Sequence, residues 1–213
     1  MAFAHTLEQI QNAKTITWKM IAYEHVTSKD GKRTWANTEV VEYAYRAPGL
    51  YREVRTDKKG QIESVEIADY IHGRKLKYSP KENKATLEDI FPCVNPSGPF
   101  AYYQEKLTSP NLQWVEKRKM ATGVVNVFRS TFRDQGNERD WSIDFWIDAK
   151  TKQLVAAFQP GADIYDPEKD PSRKQMSEHD WSSMTMIGGG YQDICYDVAI
   201  DDSLFRFAPP EGL

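Results

Sequence analysis

A chain of 213 residues with 28 basic and 31 acidic side chains carries a formal charge of −3, and its lysines and arginines are scattered rather than gathered into a stripe, so no nucleic acid is expected as a partner. Forty per cent hydrophobic residues, with six Trp, eleven Tyr and nine Phe, exclude disorder and supply the core of one large domain spanning residues 1–213. No apolar run approaches the ~18 residues that cross a bilayer, and the opening Met1-Ala-Phe-Ala-His-Thr6 has neither the basic nor the apolar part of a secretory signal.

Phe3, Leu7 and Ile10 recur at helical spacing and predict a helix over residues 3–13, with Thr6 and Glu8 toward water. From Lys14 the period becomes two: Ile16, Trp18, Met20 and Ala22 alternate with Thr15, Thr17 and Lys19, as in a strand with one buried face. Asp30-Gly31 supplies positive φ angles for a hairpin, and Trp35, Val41, Tyr43 and Tyr45 lie in the returning strand. Turns at Ala47-Pro48-Gly49, Lys58-Lys59-Gly60, His72-Gly73 and Ser79–Asn83 then separate four more short strands, an antiparallel meander.

Three prolines in Phe91–Pro99 end the meander, and a short helix is predicted over Phe100–Leu107. Strands follow at 113–120, 124–132, 140–147 and 153–158, with a hairpin at Asp148–Lys152. Asp163–Lys174 is polar and reads as a loop. Trp181–Ile187 and Tyr191–Val198 are expected to pair around Gly188-Gly-Gly190, and the alternation Leu204-Phe-Arg-Phe207 reads as a final strand stopped by Pro209-Pro210. The sum is an α+β domain: a large, curved antiparallel sheet of about eleven strands, a half-open barrel, with an N-terminal and a mid-chain helix on its concave face.

The ending Asp202-Ser-Leu-Phe-Arg-Phe-Ala-Pro-Pro-Glu-Gly-Leu213 resembles the close of the periplasmic lipoprotein-carrier family (LolA-like proteins). Arg46-Ala-Pro-Gly-Leu-Tyr51, Ser64–Asp69, Gly73–Leu76 with Tyr78-Ser-Pro80, Lys84–Leu87 and Gly98-Pro-Phe100 resemble further motifs of that family in the same order. The resemblance implies a half-barrel whose helices act as a lid, and a periplasmic or otherwise extracytoplasmic location, with a signal or anchor upstream of this sequence. In the carriers an arginine precedes the turn proline and contacts the lid. That position is Ala47 here, which leaves Arg46 and Arg52 as the candidates for lid contact. Related domains with this fold act as sensors that regulate envelope-stress sigma factors.

Trp18, Met20, Trp35, Tyr43, Trp141, Phe145 and Phe158 fall on the apolar phase of their strands. They are either ordinary core or, under two short helices, the lining of a cavity for an acyl chain. The histidines, His5, His25, His72 and His179, lack ligand spacing, so no metal or other cofactor is expected. Carboxylate pairs such as Glu63/Glu66 and Asp140/Asp144 fit a solvated strand face better than acid–base catalysis, and the triglycine lacks the lysine and hydroxyl of a phosphate loop. Cys93 and Cys195 are either buried thiols or a disulfide. The expected function is therefore non-enzymatic: binding a lipid or an acylated protein segment. The alternative is a sensor domain whose partner is a membrane-anchored regulator.

Overall fold

Alternating side chains with turn residues between them build eleven antiparallel strands in the computed structural model, which describes residues 3–27, 33–57, 59–92, 100–120, 123–133, 140–158 and 188–208. Helix α1 (Ala4–Asn12) leads into β1 (Thr15–Thr27) and β2 (Arg33–Arg46). The meander continues through β3 (Leu50–Thr56), β4 (Ile62–Asp69), β5 (Arg74–Ser79) and β6 (Lys84–Asp89). Helix α2 (Ala101–Leu107) then precedes β7 (Leu112–Met120), β8 (Gly123–Arg133), β9 (Asp140–Asp148), β10 (Leu154–Phe158) and β11 (Gly188–Tyr196). A 3-10 turn, Asp202–Phe205, lies near the end.

The strand order is β6-β5-β4-β3-β2-β1-β11-β10-β9-β8-β7. Two meanders run outward from a central seam, where β11 pairs with β1 (Ile16 opposite Tyr196, Met20 opposite Tyr191). The sheet is open: β6 and β7 end it and do not pair with each other. Both edges carry charged side chains, among them Lys84, Glu88, Lys117 and Lys119, which disfavour pairing with another chain.

Both helices pack against one face of this sheet. Ile10 and Ala13 from α1 and its end, with Phe100 and Leu107 around α2, join Ile16, Trp18, Tyr45, Ile143, Phe145, Leu154 and Ile194 in the main core. The Phe3 ring meets Phe128 edge-on at 4.7 Å, and Gln11 Nε2 donates to Gln104 Oε1 at 3.4 Å, linking the helices. Thr6 differs from its sequence expectation. It is fully buried, and its hydroxyl donates to the Lys152 carbonyl at 2.6 Å, anchoring α1 to the β9–β10 turn. A buried hydroxyl is tolerated there because it is bonded.

Three other expectations are corrected. Gly188–Gly190 is not a turn but the start of β11, with Gly190 opposite Ile21 of β1 and Phe158 of β10. The missing side chain matters for packing, since a Cβ on Gly190 would collide with Cδ1 of the Phe158 ring. Leu204–Phe207 forms no strand; it holds the 3-10 turn and the extended residues after it. Cys195 is an exposed free thiol on β11 rather than a buried one. Cys93, Asp30-Gly31, the polar loop 163–174 and the segment 181–187 lie outside the described residues.

Gly190→Ala is expected to destabilise the protein by ~1–3 kcal/mol in urea unfolding, because the Phe158 ring must shift from a packed site. Combining it with Phe158→Ala removes the clash, so the two changes should be markedly non-additive. A Gly190→Ala protein as stable as the parent would contradict this placement of β10 against β11.

Candidate functional site

The helix-covered face is filled by rings. Trp18 stacks on Tyr43 (centroids 4.9 Å apart, planes within 6°) and tilts against Phe100 at 5.0 Å. Tyr103 of α2 meets Phe145 at 5.7 Å and Tyr191 at 5.5 Å. Trp18 is 6% exposed and Phe145 0%, so both are core. Tyr43 is half-buried, and burial, then the charge of neighbouring Glu53, push its hydroxyl well above the usual tyrosine value, keeping it a donor. Met20, also half-buried, lies opposite the fully buried Val41. Phe158 belongs elsewhere: with Trp146 (5.0 Å), Val125, Val127 and Ala156 it forms a second cluster on the opposite face. The strands of Trp35 and Trp141 are described, but their side chains lie outside the described residues. Among those whose side chains are described, Phe158 therefore lies apart from Trp18, Tyr43 and Phe145.

A different surface does offer space. Strand pairing places Tyr45 opposite Tyr51 on the helix side. One residue further along β3 the side alternates, so Arg52 and Val54 face away from the helices. The register carries this phase outward: Val54 lies opposite Val65, Arg52 opposite Ile67, Ile67 opposite Leu76, and Leu76 opposite Leu87. On β3–β6 the apolar side is thus the one the helices do not cover. The helix side there is charged, with Lys77 on Glu66 (2.9 Å) and Lys75 on Glu88 (3.2 Å).

This apolar side forms a groove of about 530 Å³ lined by Ile62, Val65, Ile67, Leu76, Tyr78 and Leu204, with Arg52 and Arg206 also on its wall. Ile62 (46% exposed) and Leu87 (65%) leave apolar surface open to solvent at and beside it. A second, more polar hollow of about 320 Å³ adjoins it along β1 and β2, lined among others by Thr17, Lys19, Glu42, Asp193 and Asp201. Arg52 and Leu204 line both, so they stand where the two meet.

The C-terminal segment forms part of this wall, and two arginines hold it. Arg46, at the end of β2, donates to the Ile200 carbonyl at 3.1 Å, pairs with Asp202 at 2.5 Å and lies 4.8 Å above the Phe205 ring. Arg74, at the start of β5, lies 4.5 Å above the Phe207 ring. Asp201 caps the 3-10 turn through the Ser203 amide at 2.8 Å. The family resemblance makes Arg46 a candidate for holding the mid-chain helix; its contacts among the described residues are to the C-terminal segment instead.

Arg52 makes no hydrogen bond or ion pair among the described residues. Burial lowers its guanidinium from the ordinary arginine value, and Glu42 acts in the other direction. Glu42 is itself approached by Lys19 at 3.7 Å. Among the described residues no three His, Cys, Asp or Glu gather in a metal-binding group. What the site offers is apolar surface with a guanidinium at the junction of its two parts.

Arg46→Leu is expected to speed amide exchange at Leu204 and Arg206, whose amides bond to Asp201 and Ser203, by about tenfold or more, while Gln104 and Thr108 of the α2 region exchange as before. Faster exchange in α2 with no change at 204–206 would show that Arg46 latches the helix instead.

No family model and no curated protein matches the sequence. Among solved structures, the chain is similar to an uncharacterized conserved protein from Thermus thermophilus, with a TM-score of 0.46 and 7% identity over 99% of this chain and 93% of that one. It is also similar to a DUF1329 family protein from Desulfovibrio piger, with a TM-score of 0.34 and 10% identity over 97% and 96%. Both superpose loosely, and neither extends a ligand or an activity to this chain.

Proposed function

We propose that this chain is a non-enzymatic domain that binds the alkyl chain of a lipid or of a lipidated segment, and that it does so in the groove between β3–β5 and residues 203–208. One observation carries the reading: about 530 Å³ of open space walled by Ile62, Val65, Ile67, Leu76, Tyr78 and Leu204. That is within the usual range for small-molecule sites, and the desolvation of such walls favours an apolar ligand by roughly 25 cal/mol per Å² covered. The ordered motifs of the sequence support a LolA-like half-barrel and with it an extracytoplasmic setting, where acylated ligands are carried between membranes. In this reading the ligand lies on the side of the sheet away from the helices. A second reading, a sensor domain for a membrane-anchored regulator, draws support from the close ring packing beneath the helices.

The test uses Nile red bound to the purified protein and displaced by dodecanol. Ile62→Glu and Tyr78→Glu should weaken both by about tenfold or more, since each puts a charge on an apolar wall. Thr86→Glu, on the helix side of β6, should leave them unchanged. Folded protein that binds no probe, or binding that ignores both groove variants, would contradict the proposal.

A further inference from the structure

The groove leaves the chemistry of the ligand's other end open, and Arg52 addresses it. Resting on the groove reading, we propose that the ligand is a single-chain amphiphile with a free carboxylate, such as a fatty acid, whose head group is held by Arg52 while its tail lies along Ile67, Leu76 and Tyr78.

A guanidinium carries five N–H donors and does not lose its charge in a protein. Half-burying it without partners is unfavourable unless an anion returns the lost hydration. Arg52 meets that description among the described residues: it is partly buried, has no hydrogen bond or ion pair, and shares a largely apolar strand face with Val54 and Ile67. Other arginines in this region are engaged: Arg46 by Asp202 and Phe205, Arg74 by Asp69 and Phe207.

Its position fits a head group as well. Arg52 lines both the apolar groove and the polar hollow, so an anion on it has an apolar path on one side and water on the other. Arg206, exposed on the same groove wall, adds positive charge. Among the carboxylates of the hollow, Glu42 acts on Arg52 through its charge but forms no ion pair with it. Glu42 and Asp193 both face Lys19, at 3.7 and 3.8 Å, and Asp201 accepts from the Ser203 amide.

Two ligand classes fit the groove alone, and the guanidinium separates them. An acyl chain attached to a protein has lost its carboxylate to an amide, ester or thioester, whereas a free acid keeps the planar anion that a guanidinium pairs with in two parallel hydrogen bonds. A guanidinium without an ion-pair partner, with Arg206 on the same wall, favours the free acid.

The experiment is calorimetric titration of the intact protein with laurate, dodecanol and N-dodecanoylglycinamide, each below its aggregation concentration. Laurate should bind at least about tenfold more tightly than the two neutral compounds. Arg52→Gln should lower laurate affinity to that of dodecanol and leave dodecanol unchanged, while thermal stability without ligand stays the same or rises. Equal binding of laurate and dodecanol by the parent protein, or an unchanged preference in Arg52→Gln, would overturn the head-group assignment and leave the groove reading standing. N-Dodecanoylglycinamide binding more tightly than laurate would overturn it in favour of a lipidated segment. If none of the three binds to folded protein, the groove reading fails and this inference with it.

Discussion

The apolar side of the sheet changes face between β2 and β3, and most of what distinguishes this structure follows from that. On β1, β2 and β9–β11, the large apolar residues of the main core point at the helices. On β3–β6 they point away, because Val54, Val65, Ile67, Leu76 and Leu87 share the phase of Arg52, not of Tyr51. A strand's side chains alternate with a strict period of two, so this phase holds across every paired strand once it is set. Two short helices on one face therefore cover the main core alone; the apolar side of β3–β6 is a second region, apart from the Trp146–Phe158 cluster.

The second region needs a cover of its own, and the C-terminal segment supplies part of it. A short stretch with one 3-10 turn has few backbone bonds to hold it, so side chains do the holding. Arg46 and Arg74, on β2 and β5, bring planar guanidinium groups over Phe205 and Phe207. Each such contact is worth only about 0.5–2 kcal/mol, which suits a segment that lines a groove rather than sealing it. Arg52 lies between these two clamps on β3. There the same kind of side chain makes no hydrogen bond, ion pair or ring contact among the described residues, and only the charge of Glu42 acts on it from a distance.

Much of the architecture is legible in the sequence because it depends on local signals. The period change at Lys14, the positive-φ glycines at 60 and 73 and the helical run at 101–107 place elements without reference to distant residues. The features that escape are those set by pairing. Gly188–Gly190 looks like a turn in isolation and is a strand because Phe158 needs a bare backbone beside it. Leu204–Phe207 alternates like a strand, yet the rings of Phe205 and Phe207 lie under arginines and the backbone curls into a 3-10 turn. The aromatic stripe is visible in the sequence, but which face each member takes depends on register. Phe158 falls on the other face from Phe145 for that reason, and the groove, made largely of β-branched and aliphatic residues, stands out less than the tryptophans. A signal is present nonetheless: in Leu50–Thr56 the tyrosine and the valine sit three apart, on opposite sides of one strand.

Amide chemical-shift mapping with laurate reads out which side of the sheet the ligand occupies. Shifts concentrated in residues 50–56, 62–69, 74–79 and 200–208, with α1, α2 and the strands around Phe145 unmoved, are the result predicted here. Shifts centred on the helices and on Trp18, Tyr43 and Phe145 would place the ligand in the helix-covered interior and contradict the account.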